Sequence, residues 1–525
     1  MFESTRSLKT LVDGRSGPST IREKNGELYL YTFQQWKSLK KSESKWSPDH
    51  SEQTTLYFGL GSRERARKLI QTGPRQRLYE PDPHRFYRFL ERYPDILSQN
   101  NWKVGTGLWL EQGFLDGSMN LELHPLLKRV YDPLPSLLAT GNPRLLNVAG
   151  IIMQIGDLYY RDVIESFKQF ERRVWPLQLG HWQPKTLGTQ LASSSSNTLF
   201  TINLIEGLPS LTRAVDMDYV CWEIDPSISP YLSVESEETA QTRIYTYRRR
   251  NVKRLTQTGY QHAEYLPLAS NCRLRCPLPP EECEPYKADV SFVGSSMKEN
   301  ALYQRRRLEE FFQKDDRDWR PLEDQIKQWR NNLPDWRSQP LRTIEHLLDQ
   351  HELPDQIESD GDRLSVRWIL GEYRAYQKRQ DVIRTISEHY ETDVWGDDGW
   401  ESAVGKRGNY RGPAGHGREL TRIYNASRVN LDVNRIYQPE IITMRVFDVM
   451  ACASVVLTEE NESVGECFQP GTDCVSYGGR DDLVNTVEML LSNPAKREKI
   501  AENARQTIKK RHSISNRLRT MGLLR

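Results

Sequence analysis

Residues 424–477 constrain the chain more than any other stretch, because signals for helix, strand, loop, helix and strand follow one another there without a break. Val429–Val433 (VNLDV) alternates apolar and polar residues, as a half-buried strand does. Asn434–Glu440 (NRIYQPE) reads as a loop punctuated by Pro439. Ile442, Val446, Val449 and Met450 recur at helical spacing. Ser454–Thr458 (SVVLT) is short, β-branched and apolar, the pattern of a buried parallel strand. One pair of acids is set into this succession. Glu440 stands just before the helix start and Asp448 about two turns in, with seven residues between them.

That placement has a chemical use. A helix N-terminus presents backbone N–H groups and a positive partial charge, which suits a diphosphate. Thr443 is placed to cap the helix and Arg445 lies in its first turn. A carboxylate before the helix accepts hydrogen bonds from sugar hydroxyls, and one on its polar side can accept both hydroxyls of a ribose. The plainer alternative is that Arg445 and Asp448, at i and i+3, pair with each other on the helix surface.

The segment Ile423–Tyr477 resembles the donor-binding half of group-1 glycosyltransferases of GT-B architecture, and most of all the CgeB-like (spore maturation protein) branch. The residues that carry the resemblance are IYNASRVNLDV, the Glu440…Asp448 pair, MACASVVLT (Met450–Thr458) and GTDCVSY (Gly471–Tyr477). Three features depart from the pattern. The second acid is Asp448 rather than Glu, Ala453 stands where Gly is usual, and Ile441, Ile442 and Thr443 replace a Gly-rich loop after the first acid. The resemblance implies a nucleotide-sugar donor and no required cofactor. It also implies a metal-independent mechanism, with chemistry between two Rossmann-like sheets.

Composition narrows the class. At 525 residues the chain is long enough for several domains. Its 37% hydrophobic and 27% charged content fits an ordered globular protein. A net charge of +2 gives no electrostatic footprint for nucleic acid. No apolar run reaches the ~20 residues of a membrane span, and the N-terminus lacks the apolar core of a secretory signal. Seven cysteines without regular spacing fit reduced thiols, so a cytoplasmic location is expected. Cys272, Cys276 and Cys283 lack a fourth ligand at zinc spacing, and no metal site is expected.

Three α/β stretches are expected, as residues 1–140, 141–272 and 273–525. In the first, Thr55–Gly59, the Gly59-Leu60-Gly61 turn, the helix Arg63–Gln71 and the strand Arg77–Glu80 form a Rossmann-like accessory unit. Glu122–Tyr131 reads as its closing helix. A Gly turn after one strand and an acid after the next also suit S-adenosylmethionine, so Gly59, Gly61 and Glu80 raise a methyltransferase alternative. The second stretch has strands at Arg144–Val148, Arg173–Leu177, Leu199–Ile205, Tyr219–Ile224 and Arg243–Tyr247, with helices at Tyr160–Phe170, Thr186–Ala192 and Leu208–Val215 between them. This alternation implies a doubly wound parallel sheet, which by the resemblance would be the acceptor side of a GT-B enzyme. Asp225 and Glu223, in CWEIDPS, end one of its strands and are the candidate general bases, Asp225 first. Capping of the following turn is the alternative role.

In the third stretch Asp289–Gly294 opens a sheet. Gly294 and Ser295 form its first βα turn, where small residues let backbone approach a donor diphosphate. Residues 316–390 read as an inserted polar helical layer. His416 lies in the Gly-rich loop Arg411–Gly417, near the donor by the resemblance. The expected fold is α/β, with two Rossmann-like doubly wound domains (GT-B) and an N-terminal Rossmann-like extension. The expected activity is sugar transfer from a nucleotide sugar to a glycan, protein or small-molecule acceptor. A non-catalytic glycan-binding or assembly protein that kept the fold is a further alternative.

Overall fold

A computed structural model describes residues 21–97 and 151–177 apart from short gaps, 102–106, 120–124, 191, 196–225, 231–331 apart from 232, and 348–524 apart from 355, 360 and 361. The chain divides into two compact units. One comprises Met1–Ile224, Leu232–Tyr265 and Leu518–Arg525; the other comprises Asp225–Tyr231 and Leu266–Arg517.

The first unit begins with a three-stranded antiparallel sheet, β1 (Ile21–Lys24), β2 (Glu27–Thr32) and β3 (Gln35–Ser38). A four-stranded parallel sheet follows: β4 (Thr55–Phe58), β5 (Gln76–Glu80), β6 (Trp102–Thr106) and β7 (Asn120–Leu123), in the order β6-β5-β4-β7. Helix α1 (Arg63–Ile70) follows β4. Residues expected to start a helix at Glu122 form β7 instead. The reason lies in β4, all four of whose residues are buried. Its backbone groups need partners on both edges, and Asn120–Leu123 supplies the second edge. Residues 125–131 of that expected helix lie outside the described residues.

A six-stranded parallel sheet completes this unit: β8 (Ile151–Gln154), β9 (Val174–Leu177), β10 (Thr198–Ile202), β11 (Asp218–Glu223), β12 (Thr242–Thr246) and β13 (His262–Tyr265). Their order is β13-β12-β11-β10-β8-β9. Helix α2 (Tyr160–Gln169) buries Val163, Ile164 and Phe167, whereas Phe170, which the sequence places on the same face, is the residue that caps its end and is exposed. The expected strand Arg144–Val148 and, apart from Leu191, the expected helix Thr186–Ala192 lie outside the described residues.

The second unit is built on six parallel strands: β14 (Ala288–Val293), then, beyond an insert, β17 (Thr392–Trp395), β18 (Gly408–Gly412), β19 (Ser427–Leu431), β20 (Val456–Glu459) and β21 (Val475–Tyr477). Their order is β18-β17-β14-β19-β20-β21. The chain winds outward from β14 in one direction and then from β19 in the other, so the strand order reverses between β14 and β19. Ligands of open α/β sheets bind outside the carboxyl ends of the strands at such a reversal.

The insert between β14 and β17 carries α3 (Lys298–Lys314), a helix at Arg320–Asn331, and an antiparallel hairpin of β15 (Gln356–Ser359) and β16 (Asp362–Ser365). Leu308, Phe312, Trp319 and Leu322 pack there against Ile369 and Leu370, from the start of α4 (Val366–His389). The hairpin corrects the all-helical reading of residues 316–390. Helix α4 corrects the reading of these residues as an inserted polar layer, because its later residues Val382, Ile383 and Ile386 enter the core of the sheet. Four further helices matter below: α5 (Arg418–Ala426), α6 (Met444–Ala451), α7 (Arg480–Ser492) and α8 (Pro494–Arg511). Leu483, Val487 and Leu490 of α7 and Ile500 of α8 pack into the same core.

Helix α6 ends in a Schellman motif, with the N–H of Ala453 bonded to the carbonyl of Met450 and that of Ser454 to the carbonyl of Val449. Ala453 has φ of 55°, a left-handed conformation that disfavours any side chain. This is the physical meaning of the position where the resembling family carries Gly.

Candidate functional site

The turn after β14 lies at the reversal point. Gly294 donates its N–H to the Trp395 carbonyl at 2.9 Å and accepts from Trp400 Nε1 at 2.8 Å. A Cβ added to Gly294 would stand 2.5 Å from Nη2 of Arg445, so only glycine lets that guanidinium lie across the turn. Asp397, just past the end of β17, fixes the next residues. It accepts from Ser295 Oγ at 2.8 Å, from the Ser296 N–H at 2.8 Å, and from Ser296 Oγ. Ser295 remains exposed.

Helix α6 approaches this turn through a carboxylate that sequence reasoning passed over. Asp432 follows β19 by one residue and is fully buried. One of its oxygens accepts from Thr443 Oγ1 at 2.7 Å and pairs with Nη1 of Arg445; the other accepts from Thr458 Oγ1 at 2.9 Å. Arg445 also donates Nε–H to the Val293 carbonyl at 2.8 Å, and its guanidinium carbon lies 4.6 Å from the centre of the Phe292 ring. Arg445 therefore pairs with Asp432, and the expected alternative of an Arg445–Asp448 pair is not realised. Thr443 is the N-cap residue by position, but its side chain makes no capping bond. Its hydroxyl serves Asp432 instead, which leaves the N-terminal N–H groups of α6 without a side-chain acceptor from their own cap.

A second cation comes from α4. Arg379 is 7% exposed and donates to the Ser295 carbonyl at 2.7 Å and to the Val433 carbonyl at 3.3 Å. Its Nε is buried with no hydrogen-bond partner. Among the described residues no carboxylate forms an ion pair with it. Burial, with Arg435 and Arg445 nearby, pulls its pKa down to about 9. A guanidinium keeps its proton in proteins, so this shift is a standing penalty on a charge that a bound anion would relieve. The adjacent Lys378 is different: it is answered by Glu459 at 2.5 Å.

The other candidate residues divide. Asp448, expected on the polar side of α6 facing a ribose, is buried and fully engaged by protein. It accepts from Ser270 Oγ at 2.6 Å and from Arg275 Nε at 3.2 Å. Arg275, itself buried, donates onward to the carbonyls of His416 at 2.8 Å and Gly417 at 3.4 Å. Asp448 therefore ties segment 270–275 and the 416–417 loop to α6. His416 is exposed in that loop, and Glu440 is half-buried in the turn before α6. Glu223 ends β11 in the first unit and is buried; Asp225, assigned to the second unit, is exposed. Asn203, in a left-handed conformation, holds this strand end by accepting the Ile224 N–H at 2.9 Å.

The turn that raised the methyltransferase alternative is filled by the protein itself. Glu80 is fully buried and accepts the Leu60 N–H at 2.7 Å. A Cβ at Gly61 would meet Glu43, Arg65 and His124. Glu43 accepts from the Ser62 N–H at 2.8 Å and lies 2.7 Å from Nε2 of His124. Among the described residues no group of three or more His, Cys, Asp and Glu could hold a metal ion. Nor is any helix among them long and apolar enough to cross a membrane.

Asp432, Arg379 and Asp397 are the candidate site residues that sequence reasoning missed. Asp397 was findable, because it follows the second strand of its sheet as Glu80 does, and the same rule applies to both. Asp432 read as the polar member of an alternating strand. Arg379 lay in a stretch read as an inserted polar helical layer, and no periodicity marks a buried arginine.

With the geometry in place, comparison with known proteins gives the class. Residues 377–522 match the family model described as Glycosyl transferase-like. The match starts in α4 two residues before Arg379 and takes in Asp432, Glu440 and α6. It bears out a glycosyltransferase as the kind of enzyme read from the sequence. A search of curated proteins finds no match. Solved structures similar to the chain include a glycosyltransferase from Rickettsia africae, with 11% identity over 71% of this chain and 97% of the other and a TM-score of 0.40. Anabaena Alr3699/HepE in complex with UDP-glucose has 10% identity over 71% and 99%, with a TM-score of 0.43. The T4 phage β-glucosyltransferase has 10% identity over 72% and 97%, with a TM-score of 0.37. Likeness this remote transfers no residue role to this chain.

Proposed function

We propose that the protein transfers a sugar from a nucleoside-diphosphate donor to an acceptor, and that the donor diphosphate binds at the reversal point of the second unit. The observation that carries this reading is Arg379, a buried cation with an unpartnered Nε beside the Gly294–Ser295 turn, whose serine is exposed. With Arg445 and the uncapped start of α6, it offers a dianion what water would otherwise supply. In this reading Gly294 and Ser295 give backbone approach, and Arg379, Arg445 and the α6 dipole take the charge of the departing diphosphate. Glu440 accepts from the sugar's hydroxyls. His416 flanks the donor in a position set through its own carbonyl by Arg275. Asp225, with Glu223 as second choice, deprotonates the acceptor. Metal independence, cytoplasmic location and kinship with the CgeB-like branch belong to the proposal, the last supported by the segments from Ile423 to Tyr477. Asp448 enters it as the anchor of Arg275 and not as the ribose acceptor, because both of its oxygens already receive protein donors.

A panel of nucleotide sugars, assayed for donor hydrolysis and transfer with and without EDTA, tests this. Turnover of at least one donor, unchanged by EDTA and abolished in folded Glu440→Ala, is expected. A wild-type protein that turns over no donor and binds no nucleoside diphosphate would contradict it.

A further inference from the structure

We infer that Asp432 is the positioning residue of this anion site, acting through both Arg445 and the N-terminus of α6; the inference rests on the donor-site reading above. Asp432 is held from the sheet side. Its N–H donates to the Leu457 carbonyl at 2.8 Å, its carbonyl accepts from Tyr477 Oη at 3.0 Å, and its carboxylate accepts from Thr458 at 2.9 Å. These contacts span β19, β20 and β21, the rigid half of the sheet beyond the reversal. The free edge of the carboxylate then does two things at once.

It receives Nη1 of Arg445, so the guanidinium is held at three places: Asp432, the Val293 carbonyl and the face of Phe292. That geometry lays Nη2 across Gly294. A planar guanidinium can make these contacts together, whereas an ammonium cannot. The carboxylate also draws the Thr443 hydroxyl away from the helix it would ordinarily cap. One buried acid thus orients a cation toward the turn and keeps helix N–H groups available for an anion. Asp432 itself contacts no proposed ligand and works through its neighbours.

The test is calorimetric titration with inorganic pyrophosphate, which needs no knowledge of the base, repeated with UDP and with uridine, for wild type and three variants. Asp432→Asn keeps the volume and removes the charge. It is expected to lose about tenfold or more in pyrophosphate affinity, the size of one charge-assisted hydrogen bond. It should also narrow the advantage of UDP over uridine by the same factor, leaving uridine binding unchanged, which a general loosening of the fold would not do selectively. Arg445→Lys, which keeps the charge and loses the fork, is expected to show a loss of the same size, and it tests the idea should Asp432→Asn fail to fold. Thr443→Val removes the hydroxyl but leaves the Asp432–Arg445 pair, and affinity within about threefold of wild type is expected. Wild-type affinity in folded Asp432→Asn or in Arg445→Lys overturns the inference while leaving the site reading intact. Failure of the wild-type protein to bind either pyrophosphate or UDP removes the site reading and this inference with it.

Discussion

Two turns in this molecule are built to one plan and end in opposite chemistry. Each follows the first strand of a parallel sheet ordered 3-2-1-4 at that point: Gly59–Gly61 after β4 and Gly294–Ser296 after β14. In each, an acid just beyond or at the end of the neighbouring strand holds turn N–H groups, Glu80 in one and Asp397 in the other. The difference lies in what fills the space beside the turn. In the first unit it is Glu43, bonded to Ser62 and His124, beside a buried Arg65 that Glu122 answers at 3.0 Å, so carboxylate already sits where an anion would have to bind. In the second it is Arg379 and Arg445, with one buried guanidinium nitrogen left unpartnered. Glycine-rich turns in doubly wound sheets are permissive scaffolds, and the charges brought against them decide whether they bind phosphate.

The same contrast holds inside the second unit, between Arg275, answered by Asp448, and Arg379, answered by no carboxylate among the described residues. The largest expected effect comes from breaking the answered pair. Asp448→Leu takes from the buried Arg275 its carboxylate partner and should cost about 3–5 kcal/mol of stability. The double replacement Asp448→Leu with Arg275→Leu should recover much of it, and thermal melts of the set check this.

Removing the unanswered cation should act on binding instead. Arg379→Met is expected to weaken nucleoside-diphosphate binding by about a hundredfold, near 2.7 kcal/mol, by calorimetry. In the first unit, Arg65→Met should leave that affinity unchanged. A large loss with Arg65→Met would invert the assignment of the two turns.

His512 offers a third kind of buried base, one kept neutral. It lies between Phe447 and Phe468, and its Nδ1 is 2.7 Å from Nη2 of Arg517. Burial, with Arg517 beside it, pulls its pKa down to about 3. The folded protein therefore resists a proton that the unfolded chain accepts below about pH 6.5. The stability this group contributes is complete above that value and is lost as pH falls toward 3, at up to about 1.4 kcal/mol per pH unit. Denaturation midpoints of wild type and His512→Gln, compared between pH 7 and pH 4 as buffer settings, should converge as the pH drops. The smallest expected effect is at the end of α6. Ala453→Gly relieves a left-handed alanine and should stabilise by about 0.5–1 kcal/mol, after glycine's own entropy cost, read as a rise in melting temperature.

Much of the fold was legible because its strands are short and apolar and its helices amphipathic. The strand, helix and strand expected between Val429 and Thr458 are all present, shifted by a few residues. The misplacements have physical causes. Asn120–Leu123 is a strand because β4 needs an edge partner, a demand that no local pattern reports. The hairpin at 356–365 lies in a polar stretch without alternation. For the proposed site, spacing suggested the helix tip, the Gly294–Ser295 turn and Arg445. It could not locate Asp432 or Arg379, whose meaning arises only when β19 and α4 are brought to the reversal point. Nor could it tell that Asp448 faces Arg275, because those partners are 173 residues apart.

The most direct test of the account is a crystal structure of the protein soaked with a nucleoside diphosphate. The account predicts the diphosphate against Ser295, Arg379, Arg445 and the first turn of α6. Density for it at Gly59–Gly61, or an empty reversal point in the second unit with ligand bound elsewhere, would contradict the account.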